Sequence, residues 1–125
     1  MVAQNQAALA GLKVVEMGQL IAGPFCGQLL GDMGAEIAKI EPPAGDPMRE
    51  WGQGDVPTWF RVLGRNKYSV MLDLRTKEGQ ETARDLILSA DVLIENFRPG
   101  TLEKWGLAPE ALMKANPKLI VARIS

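Results

Sequence analysis

Short apolar runs recur along the chain, separated by amphipathic, charged or glycine-rich segments. Each run is shorter than an ordinary helix, and several are rich in the branched side chains that favour strands. The runs are "LKVVEM" at 12–17, "AEIAKI" at 35–40, "YSVMLDL" at 68–74, "DVLI" at 91–94 and "KLIVARIS" at 118–125. The pattern therefore predicts five strands joined by four connections.

Helical spacing follows the first and the third of these runs. After the first run, Pro24 suits the first turn of a helix, where its missing N–H costs nothing. Four apolar residues then share one helix face: Phe25, Leu29, Leu30 and Met33. After the third run, the segment 76–90 is predicted to be a helix with Thr76 as its N-cap and acidic residues near its start.

The segment "EPPAGDPMREWGQGDVP", at 41–57, is rich in proline, glycine and charge. It predicts a long loop, and loops of this length inside a compact domain are usually functional or mobile. Two shorter helices are also expected. One is "TWFRVLGRNK", ending near Gly64, and the other is "PEALMKAN", which opens with Pro109 and ends near Asn116.

Strands that alternate with helices predict an α/β fold with a Rossmann-like, mostly parallel sheet and helices on both faces. Residues 1–8 lack the charged start and long apolar stretch of a signal peptide and are expected to be a frayed start, with residues 9–125 as one domain. In such sheets ligands lie beyond the carboxyl ends of the strands. The segments to inspect are therefore "GQLIAGP", the proline-rich loop, "DLRTKEG" and "ENFRPG".

Composition narrows the class of partner. The formal net charge of −1 argues against a general nucleic-acid or anionic-membrane surface, since both require a cationic excess. No apolar run approaches the roughly 20 residues of a membrane span. The chain has no histidine, which excludes histidine bases and histidine-ligated metals, and its one cysteine, Cys26, forms no intramolecular disulfide. Such cysteine usage favours a reducing cytoplasm.

Two strand-exit motifs carry candidate chemistry. In "GQLIAGPFCG", Gly18 and Gly23 precede a helix and either help to bind a phosphate or let the helix pack closely on the sheet. The motif matches neither common nucleotide fingerprint, and both alternatives stay open. In "LDLRTKEG", Arg75 lies just past a strand end, where it is either solvated or placed to meet a phosphate with its planar fork.

The motif "ENFRPG" is the strongest local signal. Phe97, two residues beyond a buried strand, can stack on a base, while the amide of Asn96 can hydrogen-bond the edge of that base. The alternative is that Phe97 packs beneath its loop as part of the core. No pair of carboxylates has a spacing that singles it out for acid–base catalysis.

Longer motifs in this order resemble the amino-terminal part of family III CoA-transferases, the group that includes formyl-CoA transferase, carnitine CoA-transferase and alpha-methylacyl-CoA racemase. The resemblance is carried by "LAGLKVVEMGQLIAGPFCGQLLGDMGAEIAKIEPPAGDPMR", "GRNKYSVMLDLRTKEG", "ADVLIENFRPGTLEKWGL" and "NPKLIVARIS". It implies that residues 9–125 are a CoA-binding domain. It also implies an enzyme that moves CoA from an acyl-CoA thioester to a carboxylic acid through an aspartyl intermediate.

The resemblance also assigns residues. Those that match CoA-binding positions of the family are Gln19, Leu20, Ile21, Ala22, Leu72, Arg75, Asn96, Phe97, Lys104 and Trp105. The family's catalytic aspartate lies beyond this chain, so no catalytic residue is assigned and the chain by itself is expected to be inactive. Coenzyme A is the implied cofactor, as substrate and product thioester, and no metal is implied.

The implied partners are an acyl-CoA and a carboxylic acid, with no nucleic acid and no membrane. An interlocked homodimer is expected for the full-length parent, in the cytoplasm. Two alternatives remain open at this point: a racemase of 2-methylacyl-CoA from the same family, and a non-catalytic α/β binding module.

Overall fold

The chain is described here by a computed structural model that covers residues 7–125, so most of the expected frayed start at 1–8 lies outside the described residues. All five predicted strands are present. They are β1 (Lys13–Glu16), β2 (Glu36–Glu41), β3 (Lys67–Met71), β4 (Val92–Glu95) and β5 (Ile120–Arg123). They form one parallel sheet in the order β3-β2-β1-β4-β5. The predicted Rossmann-like α/β fold is therefore confirmed.

Five α-helices and one 3-10 helix connect the strands. The α-helices are α1 (Ala22–Asp32), α2 (Thr58–Gly64), α3 (Lys77–Leu88), α4 (Thr101–Lys104) and α5 (Pro109–Ala115). Thr76 is the N-cap of α3, since its hydroxyl oxygen accepts a hydrogen bond from the Gly79 N–H at 3.0 Å. In residues 7–125 there is no helix both long and apolar enough to cross a membrane.

The core lies on both faces of the sheet because neighbouring strand residues point in opposite directions. Val15 and Leu93 pack with α3 and α5, whereas Val14 and Ile94 pack on the face that α1 covers. The four side chains are each at most 3% exposed. Helices therefore cover both faces, as the alternating pattern predicted.

The buried face of α1 is not the apolar face that its spacing indicates. Phe25, Leu29 and Met33 are each more than 40% exposed. The helix instead turns a glycine-rich face to the sheet, and a Cβ at Gly27 would lie 2.1 Å from Oε2 of Glu16. The glycines allow the backbone of α1 to approach the sheet closely, and this determines the orientation of the helix. The spacing of apolar residues gives no sign of it.

The long loop at 41–57 contains an element that the sequence did not predict. Residues Pro47–Glu50 form a 3-10 helix, and the Asp46 carboxylate caps it by accepting a hydrogen bond from the Met48 N–H at 2.9 Å. Met48 is buried beneath the loop. The segment is thus anchored to the domain at its centre.

Candidate functional site

A cleft of about 400 Å³ opens at the carboxyl ends of the strands. All four strand-exit segments singled out from the sequence contribute to its wall. The lining residues are Gln19, Ile40, Pro42, Pro43, Ala44, Asp73, Leu74, Arg75, Phe97 and Trp105. Most of these side chains are apolar, and the polar groups of Gln19, Asp73 and Arg75 are interspersed among them. Such a wall suits a ligand with a flat apolar part and a few polar contacts.

Phe97 and Trp105 form the aromatic part of the wall. Their ring centroids lie 5.2 Å apart and the ring planes meet at 85°, an edge-to-face contact. Both rings are half-buried and pack against the core on the α3 side of the sheet. The two alternatives for Phe97 are therefore compatible, because one side of the ring packs on the core while the residue also lines the cleft.

A buried carboxylate fixes the backbone beneath these rings. The Phe97 N–H donates a hydrogen bond to Oε2 of Glu95 at 2.9 Å, and the Arg123 guanidinium pairs with the other oxygen of the same carboxylate. Glu95 is only 1% exposed. The strand end and the aromatic wall are thus held by one charge-paired group.

Arg75 is the cation of the cleft. Its Nε and Nη2 donate to the two carboxylate oxygens of Asp73, each at 2.9 Å. Hydrogen bonds from the Arg75 side chain and backbone lower the pKa of Asp73, and the same pair raises the pKa of Arg75. The Arg75 side chain stays 81% exposed. Its charge is therefore permanent and accessible, although Asp73 offsets part of it.

The Asn96 side chain bonds the protein backbone, whereas the sequence suggested that it bonds the edge of a base. Its Oδ1 accepts from the Gln19 N–H at 2.8 Å, and its Nδ2 donates to the Gln19 carbonyl oxygen at 3.0 Å. Both ends of the amide are therefore engaged with the loop between β1 and α1. Asn96 does not line the cleft, and reading a base edge would require these two bonds to break.

The structure shows the close-packing role that the sequence left open for Gly18 and Gly23. A Cβ at Gly18 would lie 2.6 Å from the Gly23 Cα and 2.9 Å from Oδ1 of Asn96. A Cβ at Gly23 would be 2.7 Å from the Gly18 Cα. Non-bonded contacts of a Cβ atom below 3.0 Å are essentially absent from proteins, so glycine at both positions allows this loop to pack on Asn96.

A buried network of charges lies behind the loop. Lys39, at the carboxyl half of β2, pairs with Glu16 and with Asp46, each at 2.9 Å, and donates to the Gly18 carbonyl oxygen at 2.8 Å. Lys67 pairs with the other oxygen of Glu16. The Lys67 pKa is lowered, since burial outweighs the opposing attraction of Glu16. Sequence periodicity did not indicate these buried charges.

Glu41 has a strongly lowered pKa. Burial acts to raise its pKa, but hydrogen bonds from Arg49, from the Asp46 backbone N–H and from Ser69 outweigh burial and lower the pKa to about 2. Arg49 donates to both Glu41 oxygens at 2.8 Å, and its guanidinium lies 3.9 Å from the centre of the Phe60 ring. This pair ties the proline-rich loop to the end of β2.

The ten residues assigned by resemblance are thus distributed unevenly. Four of them line the cleft: Gln19, Arg75, Phe97 and Trp105. The other six lie near it without lining it: Leu20, Ile21, Ala22, Leu72, Asn96 and Lys104. Of these, Ile21, Ala22 and Lys104 are exposed and Leu72 packs on the core.

Six lining residues were not among the assigned positions: Ile40, Pro42, Pro43, Ala44, Asp73 and Leu74. The rule that ligands lie beyond strand ends does indicate five of them, because they fall in the segments that leave β2 and β3. The exception is Ile40, which lies within β2 itself. No group of potential metal ligands occurs within the described part of the chain.

Comparison with known proteins decides the family. The model of CoA-transferase family III matches residues 9–125. The chain belongs to CoA-transferase family III. The succinyl-CoA–D-citramalate CoA-transferase of Chloroflexus aurantiacus is 54% identical over 121 residues, which are 94% of this chain and 30% of that protein. The succinate–glutarate CoA-transferase of Agrobacterium fabrum is 41% identical over 127 residues, 94% of this chain and 32% of the relative.

A solved structure of the family has the same fold. A CAIB/BAIF family protein from Brucella suis superposes with a TM-score of 0.91 at 44% identity, covering 95% of this chain and 33% of that one. This family III chain therefore spans about a third of the length of the relatives it matches. The resemblance derived from the sequence motifs is confirmed.

Proposed function

We propose that residues 9–125 form the CoA-binding domain of an acyl-CoA:carboxylate CoA-transferase. The observation that carries the proposal is the cleft itself, in which Phe97, Trp105 and Arg75 meet at the carboxyl edge of a Rossmann-like sheet. Family membership supports the same function. Relatives named as CoA-transferases favour transfer over the racemase alternative.

Each wall of the cleft suits a different part of coenzyme A. The half-buried rings of Phe97 and Trp105 offer apolar surface on which an adenine can stack. Arg75 presents an exposed guanidinium whose fork fits a phosphate, and a phosphate that binds there competes with Asp73 for the same donors. Gln19 contributes a neutral amide at the centre of the sheet edge, between the aromatic wall and the loop after β2.

The carboxylates around the cleft are poorly suited to catalysis. Asp73, the carboxylate of the lining, has a lowered pKa because Arg75 holds it, which weakens it as a base. Glu16, Glu41 and Glu95 are buried and paired with cations. This arrangement supports the expectation that the attacking aspartate of the transferase lies on polypeptide beyond residues 7–125, and the chain alone is proposed to bind CoA without transferring it.

The finer features of the parent enzyme follow from the same proposal. Its substrates are an acyl-CoA and a carboxylic acid, and coenzyme A passes from one to the other without a metal. We propose a cytoplasmic enzyme and, for the full-length protein, an interlocked homodimer, as the family resemblance implies.

Truncation of the aromatic wall tests the proposal. Calorimetric titration with CoA should show that Phe97→Ala weakens binding by about 1–3 kcal/mol, the range for loss of one stacked base. Tyr68→Ala is the matched control, because this aromatic residue is 69% exposed on β3 and does not line the cleft. Equal affinity of Phe97→Ala and the unaltered chain would show that the wall does not bind CoA.

A further inference from the structure

A strained residue lies next to the cleft. Leu20 has a φ of 61°, in the left-handed region that costs a residue with a Cβ about 1–2 kcal/mol. It lies between Gln19, which lines the cleft, and Ile21, which is the N-cap of α1. Such a conformation persists only where neighbouring groups enforce it.

Two side chains from distant parts of the chain enforce it here. Asn96 brackets the backbone of Gln19, accepting from its N–H and donating to its carbonyl oxygen. The Oδ1 of Asp46 accepts from the Leu20 N–H at 3.1 Å. Three hydrogen bonds to two consecutive residues thus fix the turn that presents Gln19. We call Asn96 and Asp46 the clamp.

The clamp is itself held rigidly. Gly18 and Gly23 press against Oδ1 of Asn96, so that a Cβ at either position would lie within 3.1 Å of that oxygen. Asp46 is 2% exposed, with Lys39 paired to its carboxylate and its own N–H bonded to Glu41. Neither clamp residue lines the cleft. Their positions suit support of the turn better than contact with a ligand.

We propose that Asn96 is a positioning residue, which acts on CoA through Gln19 by holding the strained Gln19–Leu20 turn. This inference rests on the proposed function of the cleft. It replaces direct hydrogen bonding of Asn96 to the base, because both ends of its amide are already bonded to Gln19. Asp46 holds the second residue of the same turn.

The first test needs no ligand. Hydrogen exchange followed by NMR should show that Asn96→Ala speeds exchange of the Gln19 amide about tenfold or more, because a local opening replaces a fixed turn. The Leu93 amide, at the centre of buried β4, is the internal reference for global stability. Unchanged protection of the Gln19 amide would overturn the clamp.

The second test is a double-mutant cycle with CoA. Asn96→Ala should weaken binding about tenfold, within the range for coupled neighbours, and this loss should largely vanish in a Gln19→Ala background. An undiminished loss in that background would mean that Asn96 contacts CoA directly and would overturn the proposal. The same applies if Asn96→Ala leaves CoA affinity unchanged.

A conservative variant covers the case in which the alanine variant does not fold. Asn96→Asp keeps the acceptor for the Gln19 N–H and removes the donor to the Gln19 carbonyl oxygen, so both effects should be intermediate. If Asn96→Asp leaves both the exchange rate of the Gln19 amide and the affinity for CoA unchanged, the clamp is contradicted. Absence of CoA binding by the unaltered chain would refute the proposed function instead, and the exchange measurement would then decide the clamp by itself.

Discussion

At the scale of single residues, three glycines allow the close packing around the site. Gly18 and Gly23 touch each other and Asn96, and Gly27 leaves room for the carboxylate of Glu16. For Gly18 and Gly23, the sequence left open whether they bind phosphate or allow close packing, because both roles favour glycine. The three-dimensional structure shows the packing role, because it brings Gly18, Gly23 and Asn96 into van der Waals contact.

Gly18→Ala should therefore destabilise the chain. The new Cβ would meet the backbone Cα of Gly23 at 2.6 Å, and relief of that contact requires backbone movement. We expect a loss of about 1–3 kcal/mol in the free energy of unfolding, the usual range for overpacking, measured by urea denaturation.

Gly64→Ala is the control for this substitution. It lies in α2, and the nearest atoms to its Cβ would be those of the Phe60 ring, at 3.3 Å, a side chain that can shift more easily than backbone. A change of less than about 1 kcal/mol is expected, because alanine also favours the helix. Equal effects of the two substitutions would show that the Gly18–Gly23 contact has no special importance.

At the scale of elements, the sequence predicted strands more reliably than helix orientation. Apolar runs identified all five strands. The inner strands β1, β2 and β4 are largely buried, and buried parallel strands have near-continuous apolar sequence. The edge strands β3 and β5 are mostly exposed or half-buried, yet their branched and apolar residues also mark them as strands. The same logic gave the wrong face for α1, where Phe25 is exposed and the glycine side is buried. It also missed Lys39 and Glu41, charged residues inside β2. Each has one partner in the following loop and one in another strand, Glu16 for Lys39 and Ser69 for Glu41.

The Glu41–Arg49 pair predicts how stability depends on pH. The pKa of Glu41 is about 2 in the folded chain against an ordinary 4.5, so the folded state binds its proton more weakly than the unfolded state does. The stability that this carboxylate contributes is complete above pH 4.5 and is lost as the pH falls toward 2. The carboxylate thus helps to hold the proline-rich loop only in its ionised form.

Urea denaturation of the unaltered chain and of Glu41→Gln, at intervals between pH 6 and pH 2, measures this contribution. The unaltered chain should be the more stable at pH 6, and the gap in unfolding free energy should narrow between pH 4.5 and 2. Other carboxylates titrate in both proteins and cancel from the difference. A gap that stays constant through this window would contradict the assigned pairing.

At the scale of the whole molecule, residues 7–125 form one five-stranded sheet flanked by helices, with the cleft along its carboxyl edge. The chain spans about a third of the length of its relatives. The order β3-β2-β1-β4-β5 explains why residues far apart in sequence meet at the cleft. Arg75 follows the edge strand β3, Gln19 the central strand and Phe97 the strand beyond it. Sequence patterns predicted this convergence from the strand-end rule, but could not show which side chains support the groove and which line it.

The central claim is that this groove binds coenzyme A, and titration of the isotopically labelled chain with CoA tests it most directly. Backbone amide shifts recorded by NMR should change at the four strand-exit segments, with the largest changes near Gln19, Arg75 and Phe97. Amides at the opposite end of the sheet, such as that of Lys13, should stay in place. An absence of changes, or changes concentrated at that opposite end, would contradict the account.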